Sequence, residues 1–119
     1  MDGLWIPVEA ELGGNKLGAG ALSTFELAIR HGTYEVPGDV GKIELSDSDP
    51  RAMDIIGTDG ANKGKHFLCI YELEGDTLRI CYDLTGKSRP TAFATEEGTK
   101  LFLVKYRRKG SSVAPMPTA

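Results

Sequence analysis

Apolar and polar residues alternate with period two along much of the chain. Ile6, Val8, Ala10 and Leu12 interleave with Pro7, Glu9 and Glu11, and Phe25, Leu27 and Ile29 with Glu26, Ala28 and Arg30. Ile43 and Leu45 flank Glu44. Three more series follow: Phe67, Cys69, Tyr71 and Leu73; Leu78, Ile80 and Tyr82; Phe102, Val104 and Tyr106. Alternation of this kind turns one face of a strand to a core and the other to water. Little of the chain suits a long helix. Residues 15–23 (NKLGAGALS) allow one short turn, weakened by two glycines.

Two hairpins can be registered directly. In CIYELEGDTLRICYD a two-residue turn at Gly75-Asp76, glycine first, suits type II′. Leu73 then faces Leu78, Tyr71 faces Ile80, Cys69 faces Tyr82, and Phe67 faces Leu84. Glu72 meets Arg79 on the other face, a favourable cross-strand pair. Cys69 and Cys81 fall on opposite faces, so the register predicts two free thiols, in keeping with a reducing compartment. In LAIRHGTYEV a turn at His31-Gly32 sets Ile29 against Tyr34 and Leu27 against Val36. His31 could be a ligand or a base; the simpler reading is a residue that tolerates positive φ at a turn tip.

The stretch TDGANKGKH, residues 58–66, poses a sharper question, because glycines and lysines this dense suggest a phosphate cradle. The P-loop pattern needs glycine five residues before Gly64, Ser or Thr after Lys65, and a helix next. Here those places hold Asp59, His66 and an alternating strand. The stretch therefore reads as a long hairpin connection, with turns at Asp59-Gly60 and Asn62 and with Lys63 and Lys65 in solvent.

The composition adds bounds. The chain has 119 residues, 40% hydrophobic and 26% charged, as expected of one globular domain. Its net charge of −3 argues against nucleic acid or an anionic lipid surface as the main partner. MDGLWIPVEAEL lacks the basic start and apolar run of a signal peptide, and no window has the length of a membrane span. A soluble, cytoplasmic protein is expected for the chain as written, and a secreted one if it is a trimmed fragment. The final GSSVAPMPTA reads as a disordered tail (110–119) after a globular part, 1–109. Short strands joined by hairpin turns imply an all-β protein: a small antiparallel barrel or sandwich of about eight strands.

Gly3-Leu4-Trp5 resembles the GxW signature of lipocalins, whose tryptophan plugs one barrel end. In such barrels a basic residue from the last strand packs over it, a place that Arg107 or Arg108 of LVKYRR matches. A longer resemblance runs through DGLWIPVEAELGGNKL, TDGANKGKHFLCIYELEGDTLRICY, RPTAF and LFLVKYRR, covering residues 2–109. In that order they look like a functionally uncharacterised lipocalin-like domain family, abundant in planctomycetes and present in other bacteria. The resemblance implies a single antiparallel up-and-down, lipocalin-like (calycin-like) β-barrel and supplies no catalytic residues. Many of its members carry secretion signals. Pro7 departs from the pattern and predicts a bulge in the first strand.

Candidate chemistry is thin. His66 and Cys69 are three apart on a strand and point to opposite faces, and no CxxC or HxxxH spacing occurs, so no metal site is expected. Asp47, Asp49 and Asp54 share SDSDPRAMD without the glycine and glutamate of a calcium loop, and read as a solvated acidic turn. Asp76 and Asp83 sit at a turn or strand end and read as solvated. No histidine is registered beside either cysteine. Lys105, Arg107, Arg108 and Lys109 form too short a cluster for a phosphate track. No catalytic residue and no cofactor are assigned.

What remains is the interior. Tyr34, Phe67, Tyr71, Ile80, Tyr82 and Phe102 share the inward phase, and Arg89 before Pro90 is a candidate charged member. Eight strands enclose either a filled core or room for one small ligand. The first expectation is a non-enzymatic barrel binding a small apolar or aromatic ligand through these seven residues. The second is a protein-interaction module, of inhibitor or immunity type, whose protein partner is met by the acidic loop 46–54 and the lysine-rich hairpin. The third is a small-barrel enzyme using Tyr71 or Arg89.

Overall fold

Hairpin turns set the topology. His31 and Gly32 both take positive φ, 52° and 75°. That is type I′ geometry, whose twist suits two antiparallel strands. Ile29 accordingly faces Tyr34. At the second hairpin Gly75 has φ 58° and Asp76 is not in the positive region, the type II′ pattern. Its ladder sets Cys69 against Tyr82, Tyr71 against Ile80 and Leu73 against Leu78, with Glu72 and Arg79 2.6 Å apart. Cys69 and Cys81 are both buried, free thiols.

A computed structural model describes residues 2–22, 26–46 and 51–109. Phe25 of the expected second strand, Asp47 and Asp49 of the acidic loop, and the tail 110–119 lie outside the described residues. The elements run β1 (Gly3–Leu12), β2 (Asn15–Lys16), α1 (Ala19–Leu22), β3 (Leu27–Arg30), β4 (Thr33–Val36), β5 (Asp39–Ser46), β6 (Ala52–Gly60), β7 (His66–Glu74), β8 (Thr77–Asp83) and β9 (Leu101–Arg108). From β3 to β9 each strand pairs antiparallel with the next in sequence, and β1 pairs with both β3 and β9. The two-residue β2 only doubles the end of β1. The result is a closed, antiparallel, up-and-down barrel of eight strands. The β1–β9 ladder shifts register between Pro7 and Glu9, leaving Val8 as the extra residue of a bulge. Trp5 and Pro7 are buried before it and Ala10 after it, so the strand changes phase there.

The two ends of the barrel differ. At the end of the 31–32 and 75–76 turns, Trp5 and Leu78 are fully buried. The Arg108 guanidinium lies 4.3 Å over the Trp5 ring, and Arg108 also donates to Asp76 and to the Asp2 carbonyl. This end is packed and capped. The other end carries the 37–38 turn, the 61–65 loop and the long 84–100 connection.

That connection is a strap across the outside of the wall. Ala52, Ile70 and Cys81 are buried although they lie outside the interior cluster, and they stand in one cross-strand row. The strap touches them through the Cys81 thiol and the Ala94 carbonyl, 3.7 Å apart. Phe93 stacks on the Arg79 guanidinium at 4.4 Å. Asp83 starts the strap and corrects the expectation of a solvated carboxylate. It is buried, and it accepts hydrogen bonds from the Thr85 hydroxyl and from the amides of Thr85, Lys87 and Ser88. Burial pushes its pKa up, but the Thr85 hydroxyl and then the amides more than offset this, leaving it below the usual carboxylate range.

Candidate functional site

Inside the open end is a cavity of about 170 Å³. Phe67, Ile80, Tyr82 and Phe102 form part of an otherwise mainly apolar wall. Two polar groups interrupt it. The Tyr82 and Tyr106 hydroxyls are 2.8 Å apart. One donates to the other, so the second retains a proton for another acceptor. Burial, and for Tyr82 the neighbouring Tyr106, hold both phenols protonated by raising their pKa values.

The second polar group lies at the mouth. Tyr34 stands directly across from Gly41. A Cβ at Gly41 would come within 2.4 Å of the Tyr34 ring, so the glycine makes room for the aromatic plate. The Tyr34 hydroxyl donates to Asp39 Oδ2 at 2.9 Å. The buried Asp39 also accepts from Asn62, through Nδ2 at 2.8 Å on Oδ2 and through the amide at 3.3 Å on Oδ1. Burial and then the Asp39 carboxylate raise the Tyr34 pKa, so its proton stays on the phenol.

Asn62 answers the question posed by TDGANKGKH. The stretch folds back on the end of β6, where the Gly57 amide donates to the Lys65 carbonyl and the Gly64 amide to Gly57, both at 2.9 Å. A Cβ on Gly57 would lie 1.8 Å from the Asn62 carbonyl oxygen, so only glycine permits this approach. The loop packs against the end of β6 as a hairpin connection. It carries an amide into the barrel mouth, and Lys63 and Lys65 are exposed.

The seven residues expected to form the site divide. Tyr34, Phe67, Ile80, Tyr82 and Phe102 line the cavity. Tyr71 is buried in the same core but does not face the cavity. Arg89 lies outside the wall. It binds Asp54 Oδ1 at 2.6 Å and the carbonyls of Cys69 and Met53 at 2.7 and 3.3 Å, pinning the strap. His66 holds the other oxygen of Asp54 at 2.8 Å. Partial burial raises the Asp54 pKa, but Arg89 and then His66 more than offset it, and the carboxyl sits below its usual range. Burial pushes the Cys69 and Cys81 thiols up, so neither is a ready thiolate.

Asp39, Asn62 and Tyr106 also belong to the site, though sequence reasoning did not select them. Asp39 follows Pro37-Gly38 and looks like a turn residue. A two-residue turn there would have paired Tyr34 with Gly41 and set Asp39 in the inward phase. Among the described residues no group of three His, Cys, Asp or Glu side chains is placed to hold a metal ion, and no helix is long and apolar enough to cross a membrane. Two wider clefts, about 350 and 720 Å³, are lined mainly by exposed or part-exposed residues, many of them charged or polar. No known protein family matches the chain, and no curated protein or solved structure is similar to it.

Proposed function

We propose that this protein is a non-enzymatic barrel that binds one small apolar or aromatic molecule in its interior. The cavity beside Phe67, Tyr82 and Phe102 is the observation that carries the reading. Its volume compares with the roughly 150 Å³ of an engineered apolar cavity that takes up benzene. A single-ring ligand is therefore the natural size, well below the several hundred Å³ of sites for larger organic molecules. Kinship with lipocalin-like barrels is part of the same proposal, supported by the Trp5–Arg108 stack at the packed end. Tyr71 and Arg89, on which an enzymatic reading would draw, lie on opposite sides of the barrel wall. A protein-contact reading draws on Leu4, Val8 and Leu12, each exposed on β1. Glu9 and Glu11 stand between Val8 and Leu12, and three scattered apolar side chains are a weaker feature than the interior cavity.

Native mass spectrometry of the purified protein, before and after denaturation, tests the proposal. A bound small molecule released on denaturation is expected, with occupancy reduced in Phe67→Ala. An unliganded mass together with a barrel interior filled by side chains would refute it.

A further inference from the structure

Asp39 is the only charged side chain that lines the interior cavity among the described residues. It is 7% exposed, and among the described residues no cation pairs with it: its three hydrogen bonds come from the neutral Tyr34 hydroxyl and from the Asn62 amides. A buried carboxylate is normally matched by a cation or a full set of donors. This one falls short at Oδ1. Oδ2 accepts two short bonds, whereas Oδ1 accepts only the 3.3 Å amide. A carboxylate oxygen offers two acceptor positions, so Oδ1 keeps one open.

The charge is not needed to join the loops it touches. The Ala61 amide already donates to the Gly38 carbonyl at 3.0 Å, and Asp39 pairs with Gly60 in the ladder. Tyr34 and Asn62 fix the carboxylate in place, and a fixed acceptor costs a ligand less ordering. The aromatic faces of Phe67, Tyr82 and Phe102 favour a cation over an anion nearby.

We propose that the cavity's ligand is a small apolar amine, bound as its ammonium form with the charge on the Asp39 carboxylate and a single-ring body against the aromatic wall. This rests on the ligand-binding reading above and adds the charge of the ligand to it.

Three probes of one shape test it: benzylamine, toluene and benzoate, cationic, neutral and anionic at pH 7. Chemical-shift titrations of the full chain should show benzylamine binding at least tenfold more tightly than toluene, and benzoate weakest. Asp39→Asn should bring benzylamine to within about threefold of toluene. If toluene binds and benzylamine binds no better, or if benzoate binds best, the amine proposal is overturned while the ligand-binding reading stands. If none of the probes binds, both fall. Should Asp39→Asn fail to fold, the ranking of the three probes on the unaltered protein still decides.

Discussion

The two ends of this barrel are built from the same kinds of residue to opposite effect. At the packed end, Trp5 and Leu78 are fully buried and Arg108 seals the tryptophan ring from outside. At the other end, aromatic rings of similar bulk leave about 170 Å³ between them, and a carboxylate, an amide and a phenol occupy the rim. An apolar gap forgoes dispersion contacts, and a buried carboxylate costs desolvation. One end therefore maximises packing, and the other gives up some of it for a site. Function in so small a barrel is sought where packing is incomplete.

The largest effect separating the two ends should come from Trp5→Ala, which removes the plug and the ring on which Arg108 stacks. A loss of about 3–5 kcal/mol is expected in urea unfolding; a loss below about 1 kcal/mol would mean that this end is not the stability centre. Gly57→Ala should cost about 1–3 kcal/mol, the usual range for forced overpacking. It should also loosen Asn62 from Asp39, seen as faster amide exchange in the 61–65 loop.

A matched pair sharpens the contrast. Val104 is fully buried away from the cavity, and Val36 lines it. Val104→Phe should destabilise by about 1–3 kcal/mol, and Val36→Phe by less than about 1 kcal/mol because space is already there. Equal losses at the two sites would erase the distinction.

The smallest effect concerns the strap. Asp54 and Asp83 titrate below their ordinary value of 3.8 in the folded protein. Their contribution is complete above that value and is lost as the pH falls from about 4 toward the folded values. Urea midpoints should therefore drop on acidification below about pH 4, and Asp83→Asn should flatten that dependence.

Sequence pattern made the walls readable and the site only partly so. The turns at His31-Gly32 and Gly75-Asp76 need positive φ, which few residues tolerate, and each turn set the register of its ladder, although the outermost expected pairs, Leu27–Val36 and Phe67–Leu84, lie beyond the ladders. The Pro7 bulge was legible for a similar reason: proline cannot continue a regular ladder. Arg89 was misplaced because it sits in the strap, where no alternation assigns a face. Its partners come from two separate strands. Asp39 and Asn62 were passed over because Asp and Asn in glycine-containing stretches look like ordinary turn residues, and only the folding-back of two loops brings them together. Whether the interior is open or filled depends on packing to within a methyl group, which no pattern of alternation encodes.

The most direct test of an open end is a crystal of the protein pressurised with xenon. The account predicts xenon density inside the barrel, in contact with Phe67, Tyr82 and Phe102, and none around Trp5. Side chains of Phe67, Tyr82 and Phe102 closed upon one another, with no xenon between them, would contradict it.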